Sequence, residues 1–262
     1  MKEQTRKKVN VLGIDVAVMR PEKAVNITMN YITRKEMSTV FFHTASSSLL
    51  CQEEEEAAAC LDSCNLVLAG DQYMDLALAH KVSAQKELAG NNLYADDYLK
   101  RLLSRLDRDQ REIFVIVPRE DHLQLLEEYI RLTYPNISVD GAVIGEGTEA
   151  DIESVVNDIN GIIPDIVFLC LPAEQQIHLL CNYRAMMNTH LIICIETMQP
   201  LILPESEKIP SWIRLLHLQG LYLWFKKESK LQEKIIASVF RKSVLDETGE
   251  DASHKIKKEE EE

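Results

Sequence analysis

The chain has 262 residues, enough for one large domain or two small ones, with 29 Lys and Arg against 42 Asp and Glu and a formal charge of −13. That balance argues against a duplex-binding protein built on phosphate neutralisation. A hydrophobic share of 46% and a charged share of 27% are those of a soluble globular protein, and no run approaches the roughly 18 to 20 apolar residues that cross a bilayer, which excludes an integral membrane protein.

The N-terminus MKEQTRKKVN is basic. Asp15 interrupts the apolar stretch after it and no small-residue cleavage site follows, so no signal peptide is expected. Short apolar, β-rich runs then alternate with longer amphipathic stretches to about residue 200. This pattern calls for βαβ units and a largely parallel, Rossmann-like sheet covered by helices, an α/β fold. Strands are expected at Val9–Ile14, Thr39–His43, Asn65–Ala69, Glu112–Val117, Ser138–Ile144, Asp165–Leu171 and His190–Ile195. Several, such as IVFLCL, are apolar on both faces, as parallel strands between two helical layers are. Helices are expected at Pro21–Arg34, Ser47–Asp62, Tyr94–Leu106, Glu120–Tyr134, Glu149–Asn160 and Ala173–Met187, with a further one starting near Gln72. Pro21 suits a first helical turn.

Ligands of such sheets bind outside the carboxyl ends of the strands. Those ends read His43-Thr44-Ala45-Ser46, Gly70-Asp71-Gln72, Pro118-Arg119-Glu120, Gly145-Glu146-Gly147, Pro172-Ala173-Glu174 and Glu196-Thr197. None carries a GxGxxG fingerprint or a GxxxxGK[ST] loop, so nothing here asks for a nicotinamide cofactor or ATP chemistry. Asp107-Arg108-Asp109 has the form of a metal-binding DxD motif but precedes a strand, at the opposite edge of the sheet, and reads as a solvated loop. The run Glu53 to Glu56 reads as a solvated helix face. Six cysteines at irregular, mostly apolar positions fit a reducing cytoplasm. Cys60 and Cys64 lack the second ligand pair that a zinc site needs, and no metal or other cofactor is expected.

Pro200, Pro204 and Pro210 mark a break. From Lys208 to Lys242 eight Lys and Arg face two Glu, a local charge of +6 that leaves −19 on the rest. With Trp212, Tyr222, Trp224 and Phe225, this segment suits an amphipathic helix on an anionic membrane surface, or equally a helix docked on the core. The tail from Asp246 is polar, charge-dense and expected to be disordered. The expected organisation is an α/β body over 1–207, a basic aromatic segment over 208–242 and a charged tail over 243–262.

The succession VNVLGIDV, FFHTASS, CNLVLAGD, LAGNNL, YPNI, PDIVFLCLPAEQQ and KIPSWIRLLHLQGLYLWF, over about residues 9 to 227, resembles the WecG/TagA/CpsF glycosyltransferases. The resemblance implies transfer of an N-acetylhexosamine, typically N-acetylmannosamine, from a UDP donor to a polyprenyl-diphosphate-linked acceptor. The setting it implies is the cytoplasmic membrane face, in cell-envelope polysaccharide or teichoic acid synthesis, by a peripheral protein of a kind that often self-associates; the acidic balance separately argues against a nucleic-acid partner. It points to Asp71 as general base, to Thr44, Ser46, Gly90, Asn91 and Gln176 as donor contacts, and to Lys208, Arg214, Lys226 and Lys227 as phosphate or membrane contacts.

The polar positions depart from the family pattern. Thr44-Ala45-Ser46-Ser47-Ser48 stands for Thr-Pro-Asn-Ala-Glu and keeps only the threonine. Ala69-Gly70-Asp71 stands for Pro-Asp-Gly, with the carboxylate one position late. Glu87 replaces the arginine of Arg-x-x-Gly-Ser-Asp, which reverses the charge where a diphosphate would lie. Pro172-Ala173-Glu174-Gln175-Gln176-Ile177 stands for Gly-x-Pro-Lys-Gln-Glu and retains Gln176; a later family aspartate falls on Pro200, and Lys208 stands for an arginine.

Each candidate also has a plainer role. Asp71 and Thr44 can cap the helices that follow them, Gln176 can be an exposed first-turn residue, His43 can pack or bond its neighbours, and His178 and His217 can lie on helix flanks. The sequence therefore supports a divergent transferase first and a catalytically degenerate homologue, a binding or regulatory partner of envelope-synthesis enzymes, second. A nucleotide enzyme of another α/β family comes third.

Overall fold

The computed structural model describes residues 7–83, 95–145, 148–196, 198 and 235–247. The first expected strand is instead a hairpin, β1 (Lys8–Val11) and β2 (Ile14–Ala17), paired antiparallel from Lys8–Ala17 to Val11–Ile14. The turn is Leu12-Gly13 with φ of 51° and 88°, the double left-handed conformation of a two-residue hairpin, which glycine adopts freely. Helix α1 (Pro21–Ile32) follows, opened by Pro21 as expected.

The main sheet is built from β3 (Ser38–His43), β4 (Leu66–Ala69), β5 (Glu112–Val117), β6 (Ser138–Val143), β7 (Ile166–Leu169) and β8 (Leu191–Cys194). All six are parallel, in the order β4-β3-β8-β7-β5-β6. The expected α/β architecture with a parallel sheet is the one observed. The expected helix Ser47–Asp62 is two: α2 (Ala45–Glu53) and α3 (Glu55–Asp62), separated by Glu54 in an extended conformation with φ −127° and ψ 112°. The break falls inside the four-glutamate run and places Glu55 and Glu56 in a first turn, where the helix dipole favours negative charge. The remaining helices are α4 (Gln72–Ser83), α5 (Ala95–Arg108), α6 (Glu120–Thr133), α7 (Glu149–Ile162), α8 (Ala173–Tyr183) and α9 (235–247).

Strand alternation sorts the core into two layers. Val40 and Phe42 of β3, Val115 of β5, Phe168 of β7 and Ile193 of β8 meet α1, α5 and α6 on one face. Phe41, Ile116, Leu169 and Ile192 meet α3, α4, α7, α8, α9 and the hairpin on the other. Right-handed crossovers explain the division. Steps toward the β4 edge, from β3 to β4, β6 to β7 and β7 to β8, carry their helices on the second face. The step from β5 to β6 runs the other way, and its helix α6 lies on the first. Because β8 is inserted beside β3, the carboxyl ends of β4, β3 and β8 become neighbours.

Helix α9 runs through the expected boundary at residue 242. Phe240 and Val244 are buried against the second face. The Lys81 ammonium on α4 donates to Glu247 at 2.8 Å and to the Asn10 carbonyl at 2.9 Å, while the Leu12 N–H donates to Glu247 at 3.3 Å. Of the C-terminal segment read as basic and aromatic, the described part docks on the core.

Candidate functional site

Thr44 directly follows β3 and opens α2. The Ser47 N–H donates to its hydroxyl at 3.1 Å and its own N–H donates to the Ser47 hydroxyl at 2.8 Å, a reciprocal cap of the helix start. The Thr44 hydroxyl also donates to the Glu196 carboxyl, which stands two residues past β8. Beneath Thr44, His43 is fully enclosed, with Nδ1 bonded to the Ser47 hydroxyl and Nε2 to the Ser48 hydroxyl, each at 2.8 Å. Burial lowers its pKa to about 3, so it is neutral and serves as a spacer between two serines.

Asp71 follows β4 and Gly70. One carboxylate oxygen accepts from the Met74 N–H at 2.7 Å and caps α4; the other accepts from the Ala45 N–H at 2.8 Å, in the first turn of α2. A single side chain thus ties the strand exits of β3 and β4 together. Gly70 is required by the close approach there: a Cβ would lie 2.8 Å from both the Phe42 carbonyl oxygen and Thr44 Cγ2.

Charge at these strand ends is all of one sign among the described residues that meet there. Burial, and less strongly Asp71, push Glu196 up to about 7 against the lowering effect of the Thr44 bond. Burial and then Asp71 push Asp75, one turn into α4, up to about 7 as well. Near neutral pH both are poised between acid and carboxylate. Sequence reasoning missed Glu196. It is visible as a strand-end residue, but its meeting with Thr44 depends on β8 being the last strand yet lying beside the first of the sheet.

Gln176 is not the exposed first-turn residue of the plainer reading. It is fully buried, and its amide donates to the carbonyls of Leu169 and Leu171 at 3.2 and 2.7 Å. It thereby satisfies the backbone where β7 ends, and its carbonyl oxygen has no partner among the described residues. Ser46 is partly buried in the first turn of α2. Thr44, Asp71 and Glu196 therefore come together, and Ser46 adjoins them on the chain. Gly90 and Asn91, together with Glu87, Lys208, Arg214, His217, Lys226 and Lys227, lie outside the described residues.

The other motifs take structural roles. Asp107 accepts from the Asn136 N–H at 2.8 Å at the far edge of the sheet, and Asp109 pairs with Arg105. His178 is exposed on α8 and bonded to Asn182. All six cysteines are free thiols, and burial pushes Cys51 and Cys64 up to about 12. Among the described residues no group of three His, Cys, Asp or Glu is placed to hold a metal, and no helix is long and apolar enough to cross a membrane. A groove of about 480 Å³ between the α2–α3 break and α8 is lined by Leu50, Glu54, Ile152 and His178, but not by Thr44, Asp71 or Glu196.

The sequence profile of the glycosyl transferase WecG/TagA/CpsF family matches residues 9–244. The chain belongs to this family. The match takes in both the hairpin and most of α9, so the docked C-terminal helix belongs to the family's extent in this chain. No match is found among the curated proteins. A member of this family is a glycosyltransferase by kind, with a sugar donor and an acceptor.

Proposed function

We propose that the chain transfers an N-acetylhexosamine from a UDP donor to a polyprenyl-diphosphate-linked acceptor at the cytoplasmic membrane face. The observation that carries this reading is the convergence of Thr44, Asp71 and Glu196 at the carboxyl ends of three adjacent parallel strands, where α/β sheets bind ligands. Asp71 is the base. It takes the proton of the acceptor hydroxyl as that oxygen bonds to the anomeric carbon and the bond to the diphosphate breaks, releasing UDP. Thr44, Ser46, Gly90 and Asn91 contact the donor, and Gln176, fully enclosed, holds the end of β7 instead of touching it. Lys208, Arg214, Lys226 and Lys227 supply positive charge toward phosphates or an anionic membrane, which the carboxyl-rich strand ends do not.

One observation favours the second reading, a family member that has kept the fold and lost the reaction. Both Asp71 oxygens are occupied by backbone N–H groups, which is a cap's geometry, and the neighbouring carboxyls oppose an anionic donor. Calorimetry with UDP and UDP-N-acetylhexosamines on the wild type, Asp71→Asn and Glu87→Arg separates the two. Micromolar donor binding by the wild type supports the transferase. No binding by the wild type, with affinity gained in Glu87→Arg, supports the partner reading and directs the search to proteins.

A further inference from the structure

The Thr44 hydroxyl has one hydrogen; Glu196 is the nearer acceptor for it, with the Ser47 hydroxyl in reach at 3.3 Å. The same oxygen accepts the Ser47 N–H, so toward a ligand Thr44 offers a lone pair and no donor. It can receive a hydroxyl or amide N–H of a sugar, and it cannot donate to a phosphate oxygen while Glu196 holds its hydrogen. Glu196 accepts on one oxygen; its second oxygen donates when protonated and is a negative charge when not. Asp71 is the charged group that acts on Glu196 directly, from the end of β4, and Asp75 on α4 stands behind Asp71. On β3 the nearest titratable group, His43, is enclosed and neutral. These strand ends thus have one charge setting with Glu196 neutral and a more negative one with Glu196 ionised.

We propose that Glu196 is a positioning residue for the donor sugar, fixing Thr44 as an acceptor and admitting the anionic donor only while its own carboxyl is neutral. This rests on the UDP-sugar reading above and adds to it a residue that no family motif in the sequence supplied. Ionisation of Glu196 places a second full charge near Asp71 at these partly buried strand ends, an effect on the order of tenfold in affinity for a dianionic ligand. The raised pKa of about 7 puts that change within reach of ordinary buffers.

The test is calorimetric titration of UDP-N-acetylglucosamine, whose diphosphate keeps its charge across the range, at about pH 5.5, 7 and 8.5, on the wild type, Glu196→Gln and Glu196→Ala. The proposal expects wild-type affinity to fall roughly tenfold from the lowest to the highest pH. It expects Glu196→Gln, whose amide oxygen still accepts from Thr44, to bind at every pH with the low-pH affinity, and Glu196→Ala to bind weakly throughout. Equal wild-type binding at all three values overturns the proposal and leaves the donor reading standing. Binding by Glu196→Ala equal to that of Glu196→Gln also overturns it, because Thr44 then needs no orienting partner. Absence of binding by every protein at every pH overturns the donor reading and the proposal together. The melting temperature of each variant at the same pH values separates unfolding from loss of the site.

Discussion

Asp71 and Ala45 are joined at 2.8 Å, carboxylate to backbone N–H, across the exits of two parallel strands. The same carboxylate caps α4 through Met74, so one residue governs the starts of two helices as well as the chemistry proposed for it. Replacing Asp71 with Ala removes both bonds and lowers stability by about 1 to 2 kcal/mol, the usual cost of a lost helix cap. Asp71→Asn keeps one acceptor oxygen and loses less. Denaturant unfolding reads the stability difference, and transfer assays on Asp71→Asn read the base, which the amide cannot replace.

Gly70→Ala is expected to be more damaging than its size suggests. The new methyl meets the Phe42 carbonyl and Thr44 Cγ2 at 2.8 Å, and the backbone carbonyl cannot rotate away. A loss of about 1 to 3 kcal/mol is expected from overpacking of this kind, measured as a lower denaturant midpoint at unchanged slope. Donor affinity falls with it, because the displaced group is Thr44.

Two carboxyls with raised pKa values give stability a definite pH dependence. For Glu196 and Asp75 the folded value of about 7 exceeds the unfolded one, so the folded state binds protons more tightly. Their contribution is fully present below the unfolded pKa of about 4 and is lost as pH rises through about 7. Their contribution to the melting temperature therefore falls as pH rises from about 4.5 to 7 and levels off above about 8, and Asp75→Asn flattens that slope by roughly 1 kcal/mol after allowance for screening.

His43 acts in the opposite sense on the acid side. Its folded pKa near 3 lies below the unfolded value of about 6.5, so the unfolded chain gains a proton first and stability falls as pH drops below about 6.5. His43→Gln, which can still bond Ser47 and Ser48, removes that slope. Thermal melts of wild type and variant between about pH 4 and 7 give the difference directly.

The fold was legible because its signals are local. Runs such as IVFLCL are short, β-branched and apolar on both faces, as strands covered on both sides are, and Pro21 marks its helix. The hairpin was missed because Leu12 takes the left-handed position where asparagine usually advertises the turn. The α2–α3 break was missed because nothing in Glu54 itself forbids a helix, although it is extended here. At the site, Thr44 and Asp71 were legible as strand-end residues. Glu196 was too, but its partnership with Thr44 was not, since a strand order that puts the last strand beside the first of the sheet leaves no trace in spacing. Gln176 was read as a donor contact or, in the plainer role, as an exposed first-turn residue; its burial was not legible, because β7 ends beneath it and the Leu169 and Leu171 carbonyls need a donor.

Helix α9 offers a further check on how the C-terminal region is held. Phe240 is 2% exposed, and Phe240→Ala is expected to cost about 3 kcal/mol or more. Glu247→Gln removes the charge that faces Lys81 and the Leu12 N–H but keeps an acceptor oxygen for them. Limited proteolysis should therefore release the C-terminal region readily in Phe240→Ala and little faster than wild type in Glu247→Gln.

The enclosure of His43 has a spectroscopic consequence. An imidazole with both nitrogens bonded to serine hydroxyls and no access to water holds its ring proton long enough to be seen as a separate resonance at the downfield end of a proton spectrum. Because Ser47 links that ring to Thr44, the resonance would shift when a ligand engages the threonine, making a silent residue the built-in reporter of occupancy.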